Sequence, residues 1–187
     1  MSYPSVNLSL PDWVDAFLAA RPAVFPEVED RMELAIDLAR ENVRHGDGPF
    51  GAAIFDASTH RLLAPGVNLV VASGCSVAHA EMLAIMIAQR AAGSHDLSDG
   101  GRTACELVTS SEPCAQCFGA IPWAGLTGLV CGAPAHAAET IGFDEGPKPG
   151  NWVEELERRG IAVTLGVLED KANAVLREFK AQGHAIY

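Results

Sequence analysis

Residues 111–125 read SEPCAQCFGAIPWAG, and residues 78–85 read AHAEMLAI. The first stretch sets Cys114 and Cys117 three positions apart directly after Pro113. On a helix that spacing puts both thiols on one face, close enough to clamp one ion. A helix N-terminus adds positive partial charge, which favours thiolates. Pro113 suits the first helical turn, where its missing N–H costs nothing. His79 is the best third ligand, and a thiolate–imidazole set suits Zn²⁺. Three protein ligands leave a fourth position open for water, as in catalytic zinc sites. Glu81 lies two residues after His79, and positions i and i+2 do not share a helix face. It is therefore free of the metal and able to move protons above it. Taken singly, each feature has a plainer reading. A lone CxxC is common, a lone histidine is usually surface or core, and Glu81 could serve the helix dipole.

Working outward, a strand precedes each motif. Phe50 to Asp56 (FGAAIFD) reads as a strand, 57–61 as a hairpin loop, and Leu62 to Ala72 as a second strand with a bulge at Pro65-Gly66. A helix is expected over Ala78 to Ala92, with Gly93 past its end. Cys105 to Thr109 is a short buried strand, and Pro113 opens a helix to about Trp123. Leu129 to Gly132 is another buried strand, and Ala135 to Ile141 a turn of helix. GFDEGPKPGN (142–151) is a loop. Trp152 to Arg159 is helical, Ile161 to Leu168 a strand, and Asp170 to Lys180 a helix. Upstream, Leu10 to Ala20 and Glu27 to Arg44 are amphipathic helices. A strand pair followed by alternating helices and strands predicts an α/β fold, a three-layer α/β/α sandwich around a mixed sheet.

The 187 residues suit one domain, with a helical extension over about 1–30 and a tail over about 181–187. Net charge is −11, from 24 acidic and 13 basic residues. That balance repels a phosphate backbone and anionic membranes, so a small-molecule ligand is expected, with no nucleic acid and no membrane. The N-terminus shows no basic segment ahead of an apolar run, which predicts a cytoplasmic protein with reduced thiols. Of five cysteines, Cys75 and Cys105 could supply a fourth ligand to a structural zinc, and Cys131 reads as strand core.

His-x-Glu with Pro-Cys-x-x-Cys is a recorded signature of zinc deaminases. Here the chain resembles the cytidine-deaminase-like superfamily from about Met32 to Phe179. GPFGAAIF (48–55), VN (67–68), AHAEMLAI (78–85), SEPCAQCFGAIPWAG and IGFDEG (141–146) are similar to bacterial guanine deaminases of that fold. The resemblance implies a five-stranded sheet, one zinc per chain, a homodimer, and conversion of guanine to xanthine and ammonia. It also implies site roles. Asn68 would read the base edge, and Ala80 would donate its backbone N–H beside the metal. Glu145 would be a second acid gripping the purine and assisting proton transfer. Phe50 and Trp123 would wall the base pocket, and the tail ending in Tyr187 would close over it.

Plainer readings stand beside these. Asn68 could be a turn residue, Phe50 and Trp123 core, Glu145 a solvated loop acid in competition with Asp144, and Tyr187 a frayed end. Aminotriazines such as ammeline, and cytosine, carry the same amine on a ring carbon. A tRNA adenosine deaminase and a non-enzymatic zinc protein are the further alternatives.

Overall fold

A computed structural model describes residues 2–187. Two helices come first, α1 (Asp12–Ala19) and α2 (Val28–Arg44). The hairpin β1 (Gly51–Asp56) and β2 (Leu62–Val67) follows, then a one-turn helix α3 (Val70–Ser73). Beyond these come α4 (Ala80–Ala92), β3 (Cys105–Ser111), α5 (Ala115–Trp123) and β4 (Gly128–Ala133). The chain ends with α6 (Ala135–Ile141), α7 (Trp152–Glu157), β5 (Ala162–Thr164) and α8 (Glu169–Ala181).

The five strands form one sheet in the order β2-β1-β3-β4-β5. β1 runs antiparallel to both β2 and β3, while β3, β4 and β5 are parallel. Side chains alternate across the sheet. Ala53 and Phe55 of β1 join one apolar cluster with α2 and α8. Ala52 and Ile54 join the other, with α4, α5 and α7. Both faces are thus covered, which gives the expected three-layer α/β/α sandwich and its mixed sheet.

Several local expectations shift. The strand predicted to Ala72 ends at Val67, and the chain turns into α3 because Asn68 Oδ1 accepts the Val70 N–H. Pro65 and Gly66 pair in register, so no bulge lies there; the register shift falls at Ile54/Phe55. Pro65 is tolerated because β2 is an edge strand. Gly66 has a packing reason: a Cβ there would meet the Ala80 carbonyl at 2.0 Å. Its absence lets α4 lie against β2 with its first residue at the sheet. β5 is three residues long, not the eight from Ile161 to Leu168. It pairs with β4 alone, and only β4's first three residues reach it.

The helical part of the N-terminal extension packs on the α2 side of the sheet, while residues 6–8 lie along α4. Val14 is buried, Trp13 stacks on His45 at 5.1 Å between ring centres, and Arg21 pairs with Asp37 at 2.7 Å.

Candidate zinc and substrate site

Two helix starts carry the metal ligands. His79 is the N-cap of α4 and Cys114 the N-cap of α5, both with extended backbone. The sequence predicts His79 and Cys114 inside helices. Both lie one residue before, and Pro113 lies outside the first turn. Cys117 is the third residue of α5 and fully buried. An N-cap side chain hangs over the helix end, so Cys114 still meets Cys117 although the two do not share a helical face. Neither side chain makes a capping hydrogen bond, and His79 Nδ1 meets both thiols at the common centre.

His79 Nδ1 stands 3.4 Å from Cys114 Sγ and 3.5 Å from Cys117 Sγ. A tetrahedral zinc with Zn–S of about 2.3 Å and Zn–N of about 2.0–2.1 Å requires S···N of about 3.6 Å. The three side chains therefore fit zinc as they stand. They form the only such metal-binding group among the described residues, without Cys75 or Cys105. Cys105 is buried and its thiol faces the Leu97 carbonyl. Cys131 is strand core, as expected.

In the metal-free chain the ligands divide: the Cys114 thiol is shifted toward its ligating thiolate, while its hydrogen bond to Cys114 and burial push the Cys117 thiol up. A hydrogen bond from Cys117 brings the Cys114 thiol down to about 4, and the His79 contact assists. Burial pulls the His79 imidazole down, but the Cys114 hydrogen bond and nearby acids more than reverse it. Glu81 is 6% exposed, and burial pushes its carboxyl up, with the Cys114 thiolate adding to the effect. Thr109 Oγ1, at 3.3 Å, holds Glu81 Oε1. Glu81 is the second residue of α4, and Ala80 the first, so the Ala80 N–H has no intrahelical acceptor.

Above the ligands lies a cavity of about 80 Å³. A water occupies roughly 10–15 Å³ by this measure, so the space suits one flat ring system and little more. His79, Glu81 and Cys114 form its floor, and Phe50, Asn68, Glu145 and Tyr187 its walls. Phe50 meets Phe143 edge to face at 4.9 Å, and Phe143 meets Tyr187 at 5.3 Å. Phe143, Glu112 and Asp144 also line the cavity. No Lys or Arg does, among the described residues.

Asn68 is 1% exposed. Its Oδ1 is committed to the Val70 N–H, so the amide NH₂ is the group left for a ligand. Asn42 fixes this corner: its NH₂ donates to the carbonyls of Gly48 and Asn68, each at 2.8 Å. Glu145 is 7% exposed and its Oε2 is buried without a partner. Burial and the nearby thiolate and Glu81 push its carboxyl up to about 8. Asp144 is exposed and spends Oδ1 on the Gly146 N–H. Of the two competing acids, Glu145 is the one sealed into the cavity with an unsatisfied oxygen. The tail folds back on its own chain: Tyr187 lines the cavity, and its hydroxyl sits where a Gly48 side chain would be.

Trp123 departs from the expectation. It is 85% exposed on the outer face of α5, beside Phe118 and Pro122, and does not line the cavity of its own chain. Cys117 and Ile121 fill the buried face of α5, which turns Trp123 outward. Phe143 and Asn42 were missed in the sequence. GFDEG signalled only its acids, and Asn42 looked like one more polar residue of an amphipathic helix.

Residues 26–133 match the family model of the cytidine and deoxycytidylate deaminase zinc-binding region. A guanine deaminase of Bacillus subtilis is 39% identical over 118 residues, covering 63% of this chain and 71% of that one. A solved guanine deaminase from Nitrosomonas europaea superposes with a TM-score of 0.90 at 46% identity, covering 97% of this chain and 99% of that one. A tRNA-specific adenosine deaminase of Haemophilus influenzae is 28% identical over 155 residues, covering 81% of this chain and 82% of that one. The His79–Cys114–Cys117 triad, the buried acid above it and the family match over both motifs lead to one conclusion: the chain belongs to the zinc-dependent cytidine and deoxycytidylate deaminase family.

Proposed function

We propose that this zinc-dependent hydrolase converts guanine and water to xanthine and ammonia. The observation that carries the reading is the pairing of Asn68 and Glu145 in one small cavity. One offers a free amide donor, its Oδ1 being held by the Val70 N–H, and the other an unsatisfied acceptor. Guanine presents acceptors at O6 and N7, and donors at N1–H and the 2-amino group. Asn68 NH₂ answers the acceptors and Glu145 the donors. The guanine deaminases of Bacillus subtilis and Nitrosomonas europaea support the same substrate.

Zinc, held by His79, Cys114 and Cys117, supplies the charge that makes water a nucleophile near neutral pH. Phe50 and Phe143 hold the base flat, with its amino carbon over the floor. Glu81 takes a proton as the water oxygen bonds to C2, and the Ala80 N–H faces the developing negative charge. Glu81 then delivers that proton to the amino nitrogen, Glu145 assists, and the C2–N bond breaks with loss of ammonia. Tyr187 closes the cavity against bulk water.

The acidic surroundings disfavour phosphorylated or polymeric substrates, so nucleic acid is not expected as a partner. We place the enzyme in the cytoplasm, in purine catabolism. The five free cysteines support a reducing compartment, and no helix among the described residues is long and apolar enough to cross a membrane. Half-buried Phe118 and Pro122 and exposed Trp123, on the outer side of α5 with Trp123 at its C-terminal end, support a homodimer across that face. Trp123→Asp should convert a dimer to monomers in sedimentation; an unchanged sedimentation coefficient counts against the face.

Ammonia release decides the substrate. The zinc-loaded protein is assayed on guanine, adenine, cytosine, cytidine and ammeline. Guanine should be fastest, and Glu81→Gln should lose about 10²–10⁴ in kcat with zinc retained. Faster release from ammeline or cytosine would overturn guanine and keep the mechanism.

A further inference from the structure

The loop from Phe143 to Lys148 carries the proposed base-gripping acid, and it is fastened to the three residues that bracket a zinc ligand. The Ala115 N–H donates to the Glu145 carbonyl at 2.8 Å. Lys148 Nζ donates to the Pro113 carbonyl at 2.7 Å and lies 3.6 Å from Glu112 Oε2. Gly146 sits close enough to Ala115 that a side chain there would press on its methyl at 3.1 Å. Pro113 and Ala115 flank Cys114, so the loop grips the metal turn on both sides.

Lys148 is unusual for a loop lysine. Its side chain is only 9% exposed, and its ammonium lies 4.5 Å from the centre of the Trp152 ring. Burying an ammonium is costly unless it is paired and hydrogen-bonded. Here a carboxylate, a carbonyl and an aromatic face meet it. Glu112, Asp144, Glu145 and Glu81 line the cavity, and Lys148 is the cation set against the Glu112 side of it.

We propose that Lys148 is a positioning residue, which locks the Glu145 loop to the Cys114 turn and thereby sets the bound base at a fixed distance from zinc. It touches neither metal nor base. Its role is to make the wall that holds the substrate and the turn that holds the metal one rigid piece. The proposal rests on the deaminase reading for its kinetic half, and on the metal site alone for the other half.

Two readouts test it on the full-length zinc-loaded protein. The first is the rate of zinc transfer to a colorimetric chelator, with no base present. The second is the kcat and KM for guanine. Lys148→Met keeps the aliphatic stem on Trp152 and removes the donor and charge. Outer partners of metal sites typically govern 10–100-fold in affinity or activity. Lys148→Met should release zinc about tenfold faster or more, and lose about tenfold or more in kcat with KM within about threefold. Lys148→Arg, which can still donate to the Pro113 carbonyl, should recover most of both. Should Lys148→Met not fold, Lys148→Gln must show both changes in the same direction. Zinc release within twofold of the parent overturns the proposal, as does a lowered thermal midpoint with kcat unchanged. Because chelation needs no substrate, a mistaken base leaves the first readout standing.

Discussion

The floor and the walls of the cavity are built in opposite ways. The floor comes from two helix starts: His79, Ala80 and Glu81 at α4, Cys114 and Cys117 at α5. Within each group the residues are at most three apart, so local backbone geometry sets their relations. The walls come from four separate places: Phe50 before β1, Asn68 after β2, Phe143 and Glu145 in the loop after α6, and Tyr187 at the end of the tail. No short stretch contains two of these places. The floor needs only correct helix starts and their packing on the sheet. The walls need the whole fold. The floor is expected to decide whether chemistry happens, and the walls which ring receives it.

The largest effect should come from removing a floor residue. Cys117→Ala takes away a fully buried ligand and should leave the purified protein nearly free of zinc, with turnover down at least about three orders of magnitude. Metal analysis after dialysis checks it. Stoichiometric zinc in that variant would mean that another side chain replaces the thiolate, and would break the division between floor and walls.

A wall residue should cost less and leave zinc alone. Asn68→Ala removes the free NH₂ and the cap on the Val70 N–H. It should lose about a hundredfold in kcat/KM for guanine, with metal content unchanged, because the ring acceptors are left unpaired. Parallel steady-state kinetics on guanine and cytosine sharpen the contrast, since a specificity wall should penalise guanine more.

A smaller effect separates Glu145 from the floor through pH. Its carboxyl rises from 4.5 to about 8 in the folded, metal-free chain, chiefly by burial. Between those values the folded protein holds a proton that the unfolded chain has released. Stability from this group is therefore full below about pH 4.5 and is lost as pH rises toward 8. In metal-stripped protein, Glu145→Gln should raise the thermal midpoint by a few degrees at pH 8 relative to the parent, and by less at pH 5. Equal differences at both pH values would show that Glu145 does not carry the strained proton.

Legibility in the sequence follows the same division. His79, Cys114, Cys117 and Glu81 could be read directly, because ligand spacing and helix starts are local facts. Even there each helix starts two residues later than Ala78 and Pro113 led one to expect, at Ala80 and Ala115: a capping residue belongs half to the helix, and its role emerges only from backbone angles. The sheet was legible in its long central strands. It was less so at its edges, where Ala162–Thr164 has a single neighbour to decide its length. Asn68, Glu145, Phe50 and Tyr187 entered through family resemblance. The residues themselves allowed turn, core or frayed-end readings, and only their convergence on one cavity separates these.

By itself, the sequence determined the metal and the layered α/β architecture, and it singled out Glu81 as the candidate acid beside the ligands, because hydrophobic period and ligand spacing act over a few residues. Tertiary structure alone decided that Glu145 and not Asp144 is sealed in the cavity, that Trp123 faces out from its own chain, and that Lys148 ties wall to floor. Those outcomes depend on which side chains the closed sheet and its covering helices shut away from water, and distant segments contribute the shutting.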